Sequence, residues 1–377
     1  NWSGQSGGAP IGCVPFSIDN VHFDENSFDT TAIDIDIDAD AYCHDLICDS
    51  LPFDIELNLN DNLYISGSMY LKPGFIFNGN DKPLYFNSDS TSESIDFGGN
   101  NTKGEIQIII NGDAVFGLED SISMNYGYGA PYYQFIEISN GTLNTNGHKI
   151  STGLFKTGFN GSVNIKNSSL HLNGYINTVW SMGGTLISAD SSEIYLTSNS
   201  SLTPHFSGGS YSYPKVEFSK DGKISGSCQI DTLVFIAGNT LAISSSSNPT
   251  ISDTLLITGS ACDNYTKLKG SGGVGDLNIL TDHVFDYMII EDLNYTGSAN
   301  ITLNNSFVDS VSTGWTYTSP AAKDLYWVGG DGDWGDGNNW SGQSGGAPIG
   351  CVPFSIDNVH FDENSFDTTA IDIDIDA

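Results

Sequence analysis

The chain has 377 residues, with 46 Asp and Glu against 12 basic residues, a formal net charge of −34, and every basic residue is a lysine. That balance lacks the Lys/Arg patches that neutralise phosphate, so it excludes a nucleic-acid reader and disfavours an anionic membrane surface as partner. A content of 38% hydrophobic and 11% aromatic residues argues for a packed core over disorder, and no apolar run of about 20 residues is available to span a membrane as a helix.

In chain order, the first feature is a repeat. The 39 residues Asn1–Ala39 recur without a change as Asn339–Ala377, an offset of 338 residues. Exact recurrence at that distance marks a tandem array of domain-sized units. Short alternating segments come next: Ile33–Asp40 (IDIDIDAD), Asp54–Leu59 (DIELNL), Glu105–Asn111 (EIQIIIN), Ser162–Ile165 (SVNI), Leu170–Asn173 (LHLN), Glu193–Thr197 (EIYLT) and Asn300–Asn304 (NITLN). Period two with β-branched residues predicts strands that bury one face. Gly, Asn and Ser break the pattern at short intervals, as in Asn146-Gly147-His148-Lys149, and helix signals are scarce. The Pro-containing stretch 317–324 reads as a junction. Residues 1–316 are then one unit without its opening residues, and 325–377 begin the next.

Many short strands with tight turns predict an all-β chain of right-handed parallel β-helix (β-solenoid) domains in tandem, with a β-sandwich array as the alternative. No internal boundary divides the period into sandwich-sized modules, and Asn can ladder from coil to coil. At about 22 residues per coil and about 4.8 Å per coil, one period adds on the order of 70 Å.

The stretch LYWVGGDGDWGDGNNWSGQSGG followed by CVPFSIDNVHFDENSFD resembles a repeat of very large secreted Bacteroidetes proteins. The residues that carry the likeness include Tyr326, Trp327, Gly329, Gly330, Trp334, Asp336, Trp340, Ser341, Cys351, Pro353, Asp357, Phe361 and Asp362. Gly141–Phe155 is similar to the coils of that family and TGWTYTSPAAKDLYWVGG to its unit junction. The resemblance implies a cell-surface adhesin filament exported by type IX secretion, a class that includes SprB-like gliding-motility adhesins.

Candidate chemistry is sparse. Arg, the base of many β-helix lyases, is absent, and no paired-carboxylate, GxSxG, HExxH or phosphate-loop pattern occurs. The expectation is therefore a non-enzyme, with a glycan-binding module or a polysaccharide-degrading β-helix enzyme as alternatives. Asp331, Asp333, Asp336, Asn338 and Asn339 lie in a Gly-rich loop with the oxygen donors that calcium prefers, against the reading of a solvated turn. Asp34, Asp36, Asp38 and Asp40 share one strand face, but neighbours there sit about 6.8 Å apart, too far to share an ion.

The six cysteines match no zinc spacing and suggest an extracellular disulfide framework. Cys228 with Cys262 is the favoured pair, and Cys13 with Cys43 or Cys48 the second, buried free thiols being the alternative. Tyr326, Trp327, Trp334 and Trp340 are expected to pack the unit junction. Asp-Ser/Thr-apolar triplets make Ser121, Thr232, Thr254 and Ser310 candidate glycosylation sites by resemblance to Bacteroidetes acceptor sequences. Expected partners are neighbouring units of the same chain and an extracellular surface or glycan.

Overall fold

The computed structural model describes residues 2–28, 34–49, 51, 53–124, 134–174, 177–197, 202–258, 262, 264–366 and 373–374. Every alternating segment of the sequence contains a strand, Ile33 alone lying outside the described residues. Ile55–Leu59 is representative: Ile55, Leu57 and Leu59 are buried while Glu56 and Asn58 face outward. The solenoid strands pair parallel, each with a strand one coil further along the chain. The architecture is a parallel β-solenoid of about 12 turns among the described residues. A sandwich is excluded, because its sheets are antiparallel. Twelve turns is fewer than about 22 residues per coil would place in this length. One reason is that many coils are longer, as in the steps from Leu84 to Ile108 and from Ile108 to Ile136; the other is that residues beyond 324 build a small core of their own.

The chain forms two compact units, Asn1–Leu233 and Val234–Ala377. The junction at 317–324 thus lies inside the second unit, so the sequence period and the compact body are not the same segment.

In the first unit, register places like residues over like in the interior. One column runs Leu63, Leu84, Ile108, Ile136, Phe155, Trp180, Phe206, Ile224, each paired with the next, and all eight are buried. A second runs Ile122, Ile150, Leu170, Ile194, Val216. A one-residue slip would turn a whole strand's apolar set to solvent, which is why the pattern holds the register so firmly. The second unit repeats the device with Leu241, Leu268, Ile290 and Val308.

Corners need backbone that side chains rarely adopt. Asn146, Asn167 and Ser191 take positive φ of 52°, 61° and 57° in successive coils, which Asn tolerates better than most residues. Asn146-Gly147-His148-Lys149 is therefore a coil corner, as its sequence suggests. Beside these corners the buried hydroxyls of Thr145 and Ser168 bond at 2.6 Å. At Gly161 the coils approach so closely that a Cβ would overlap the backbone carbonyl of Ile138.

Outward residues ladder as well. Asn58 donates Nδ2–H to Asp36 at 3.0 Å, and Asn78 donates to Asn58 at 2.9 Å and to Glu56 at 2.6 Å. Asn62 donates to Asp40 at 2.7 Å. The acidic strand is thus met by amide donors of the following coil.

Candidate functional site

Beyond the coils of the second unit the chain builds a junction. Strand Asp324–Trp327 pairs antiparallel with Trp340–Ser341 and parallel with Asn358–His360. Leu325, Trp327 and Trp340 are fully buried in a small core of their own, with Trp334, Val352 and Ile373 packed on it. The indoles meet edge to face: Trp327 lies 5.1 Å from Trp340, and Trp334 lies 4.8 Å from it. Each buried indole N–H finds a carbonyl, Trp327 that of Gly330 and Trp340 that of Trp334, both at 2.9 Å, as burial of an indole requires. Tyr326 stacks on His360 at 4.6 Å. Of the four aromatic residues singled out in the sequence, Trp327, Trp334 and Trp340 meet in this core, and Tyr326 lies beside it on His360.

From this core the chain runs back over the coils of the same unit. Phe354 stacks on Phe307 at 4.6 Å and leans on Tyr265 at 4.8 Å. Asp357 accepts from the backbone N–H of Lys323 at 2.8 Å and of Phe354 at 2.9 Å. Asp324 accepts from Asn358 Nδ2–H at 3.0 Å and sits 3.0 Å from His360 Nε2. Those two contacts, the His360 side chain first, hold the Asp324 carboxyl below its usual pKa.

Cys262 and Cys351 are joined by a disulfide that closes a loop of 89 residues, with Cα atoms 5.3 Å apart. This corrects the expected framework. Cys228 does not pair with Cys262, and Cys13 pairs with neither Cys43 nor Cys48. Cys43, Cys48 and Cys228 point into the solenoid interior, where they serve as small apolar residues. Burial, with Asp45 adding to it, lifts the Cys43 thiol to about 12, and burial lifts Cys228 to about 12. Sequence reasoning missed Tyr265, Phe307 and Phe354 because their contacts depend on a fold-back that no local pattern encodes.

In the Gly-rich loop Asp336 caps a 3-10 turn at Gly337–Asn339, accepting from the backbone and side-chain N–H of Asn338 at 2.9 and 3.0 Å. Asn339 Nδ2–H donates to the carbonyl of Asp333 at 2.9 Å. Asp331 and Asp333 belong to the same loop. Among the described residues no group of three or more His, Cys, Asp or Glu converges as a metal cluster.

Of the candidate acceptor hydroxyls, Ser121 and Ser310 are exposed and Thr232 and Thr254 half-buried. The triplet acids have structural uses: Asp120 accepts from the N–H of Phe97 at 3.0 Å and of Gly99 at 2.6 Å, and Asp309 from that of Asp292 at 2.9 Å.

One row of aromatic residues lies on the outer face. Tyr42, Tyr64 and Tyr85 stack coil on coil at 4.9 and 4.7 Å with rings within 10° of parallel. Each ring covers the face of its neighbour, so the row presents edges and hydroxyls outward, not the flat faces on which sugars stack.

The fold and junction together define a β-solenoid repeat with an intrachain clamp. No protein family, curated protein or solved structure matches the chain.

Proposed function

We propose that the chain is a non-enzymatic structural and adhesive repeat of a giant extracellular cell-surface filament, of the kind that serves surface adhesion or gliding motility. The observation that carries this reading is the exact recurrence of 39 residues after 338, the second occurrence being clamped onto coils of its own unit by Cys262–Cys351. A disulfide suits the oxidising extracellular space. A solenoid whose surface is satisfied coil by coil suits a stalk, and the acidic surface keeps a long polymer soluble.

The test is to coat beads with the chain and measure their retention on solid surfaces, alongside incubation with a polysaccharide panel. Retention without release of reducing ends supports the reading. Release of reducing ends would replace it with a polysaccharide-degrading β-helix enzyme, and saturable binding of one glycan with a glycan-binding module.

Calcium in the loop of Asp331, Asp333, Asp336 and Asn338 is a separate proposal, supported by the spacing of oxygen-bearing side chains in this Gly-rich sequence. It predicts a melting temperature raised by calcium and lowered by EDTA; a temperature indifferent to both would sink it.

A further inference from the structure

The 39-residue segment occurs twice, and residues 2–28 and 340–366 fold alike. Phe16 N–H donates to Asp19 at 2.9 Å, as Phe354 N–H does to Asp357. Asn26 Nδ2–H donates to Ser6 at 3.0 Å, as Asn364 does to Ser344 at 2.8 Å. The bridges Ser3–Pro10 and Ser341–Pro348 correspond, and Gly7 and Gly345 share a φ of 61°.

Their surroundings differ in a complementary way. In the second occurrence Cys351 is bonded and 6% exposed, and Phe354 is wedged on Phe307 and Tyr265. In the first, Cys13 is a free, exposed thiol, and Val14, Phe16 and Ile18 are 65%, 64% and 84% exposed. Conversely, Val21 and Phe23 are buried under later coils, while their counterparts Val359 and Phe361 stand 39% and 44% exposed.

The backbone shows the same division. Asn358 donates its N–H to Lys323 and its strand pairs with Asp324–Tyr326. Val21, counterpart of the next residue Val359, donates to Asp45, and its strand pairs with Leu46–Cys48. Consecutive amides of a strand point to opposite edges, so the segment offers one edge to the coil before it and the other to the coil after it. In the first occurrence the preceding edge, the apolar patch and the thiol all lack the partners that the second occurrence has.

We propose that residues 2–28 are a docking face for the 262–324 coils of another copy of this unit. That copy's Asp324–Tyr326 pairs with the strand edge at Asn20–His22, its Phe307 and Tyr265 receive Phe16, and its Cys262 forms a disulfide with Cys13. The bond forms by thiol–disulfide exchange: the Cys13 thiolate attacks a small-molecule disulfide such as glutathione disulfide and releases one thiol. The Cys262 thiolate then displaces the second glutathione thiolate, leaving one S–S bond between the chains, and the two protons given up by the cysteines end on the two glutathione thiols released. The docking takes its biological sense from the filament reading, but its test reads docking alone, while bead retention reads adhesion.

In the full chain, Cys351→Ser with Phe354→Ala frees Cys262 and loosens the chain's own clamp. Under glutathione disulfide this variant is expected to form a head-to-tail ladder on a non-reducing gel, with a Cys13–Cys262 peptide by mass spectrometry, while the unsubstituted chain stays monomeric. Adding Cys13→Ser abolishes the ladder, and adding Phe16→Asp lowers its yield about tenfold. Monomers with both thiols open to alkylation, or a ladder through any other cysteine, overturn the proposal. Circular dichroism reports whether the variant folds. If it does not, the single variant Cys351→Ser decides: a Cys13–Cys262 peptide between two chains after oxidation supports the docking, and Cys262 left free or bonded to any other cysteine overturns it.

Discussion

Cysteine behaviour here is a matter of environment more than spacing. Cys43 and Cys228 sit among apolar side chains that raise their thiols to about 12, so the reactive thiolate is scarce at neutral pH. Native, oxidised protein treated with iodoacetamide is expected to be labelled once, at Cys13, and at Cys43, Cys48 and Cys228 only after unfolding; native labelling of a buried thiol would contradict this. His205 makes a second residue-scale prediction. It lies between the hydroxyls of Thr178 at 3.2 Å and Ser225 at 2.7 Å, and burial first, then Lys223, lowers its pKa. A histidine kept neutral by the fold contributes fully above its unfolded pKa of about 6.5 and loses that contribution as pH falls from there through the lowered folded value. His171 and His283 shift the same way, burial again leading. The melting temperature should therefore drop between pH 7.5 and 5.5, before most carboxylates titrate, and drop less in His205→Gln; parallel profiles would refute the assignment.

At the scale of elements, stability comes from columns. Phe155, Trp180 and Phe206 stack at 5.2 and 5.9 Å through three coils, and Trp180 Nε1–H reaches the hydroxyl of Tyr213 at 3.3 Å. Trp180→Ala opens a cavity at the centre of that stack and should cost about 3–5 kcal/mol in chemical denaturation; a cost under 1 kcal/mol would mean that the column does not carry the coils. The outer ladder is weaker and electrostatic. Asn58→Asp sets a carboxylate against Asp36, its in-register neighbour, and should cost about 1 kcal/mol at low salt, with recovery in millimolar calcium or high salt. A variant as stable as the parent at low salt would show that the ladder contributes nothing.

These elements were the most legible part of the sequence. Period-two alternation at Ile55–Leu59 or Glu193–Leu196 is a local signal, and so is Asn at a corner. The partner of Asp36 was not legible, because Asn58 lies one coil away and only the register brings them together. For Cys262 the same holds over 89 residues, since that pairing depends on how the recurring segment folds back. The aromatic cluster of Trp327, Trp334 and Trp340 could be read as junction packing from its density, but not as a core in its own right.

For the whole molecule, the recurrence is best understood as a connector with two sides. The first occurrence shows the contacts on the segment's C-terminal side, and the second those on its N-terminal side. Superposing the two environments covers Cys13, Val14 and Phe16, as Cys351, Val352 and Phe354 are covered, as well as Val21 and Phe23. A chain built on that rule extends by whole periods through identical junctions. The most direct test is small-angle scattering on chains of one, two and three periods, taking the maximum dimension of each. The account predicts a constant increment per added period, retained until the disulfides are reduced. A maximum dimension that fails to rise, or that spreads broadly as flexibly linked beads would, contradicts it.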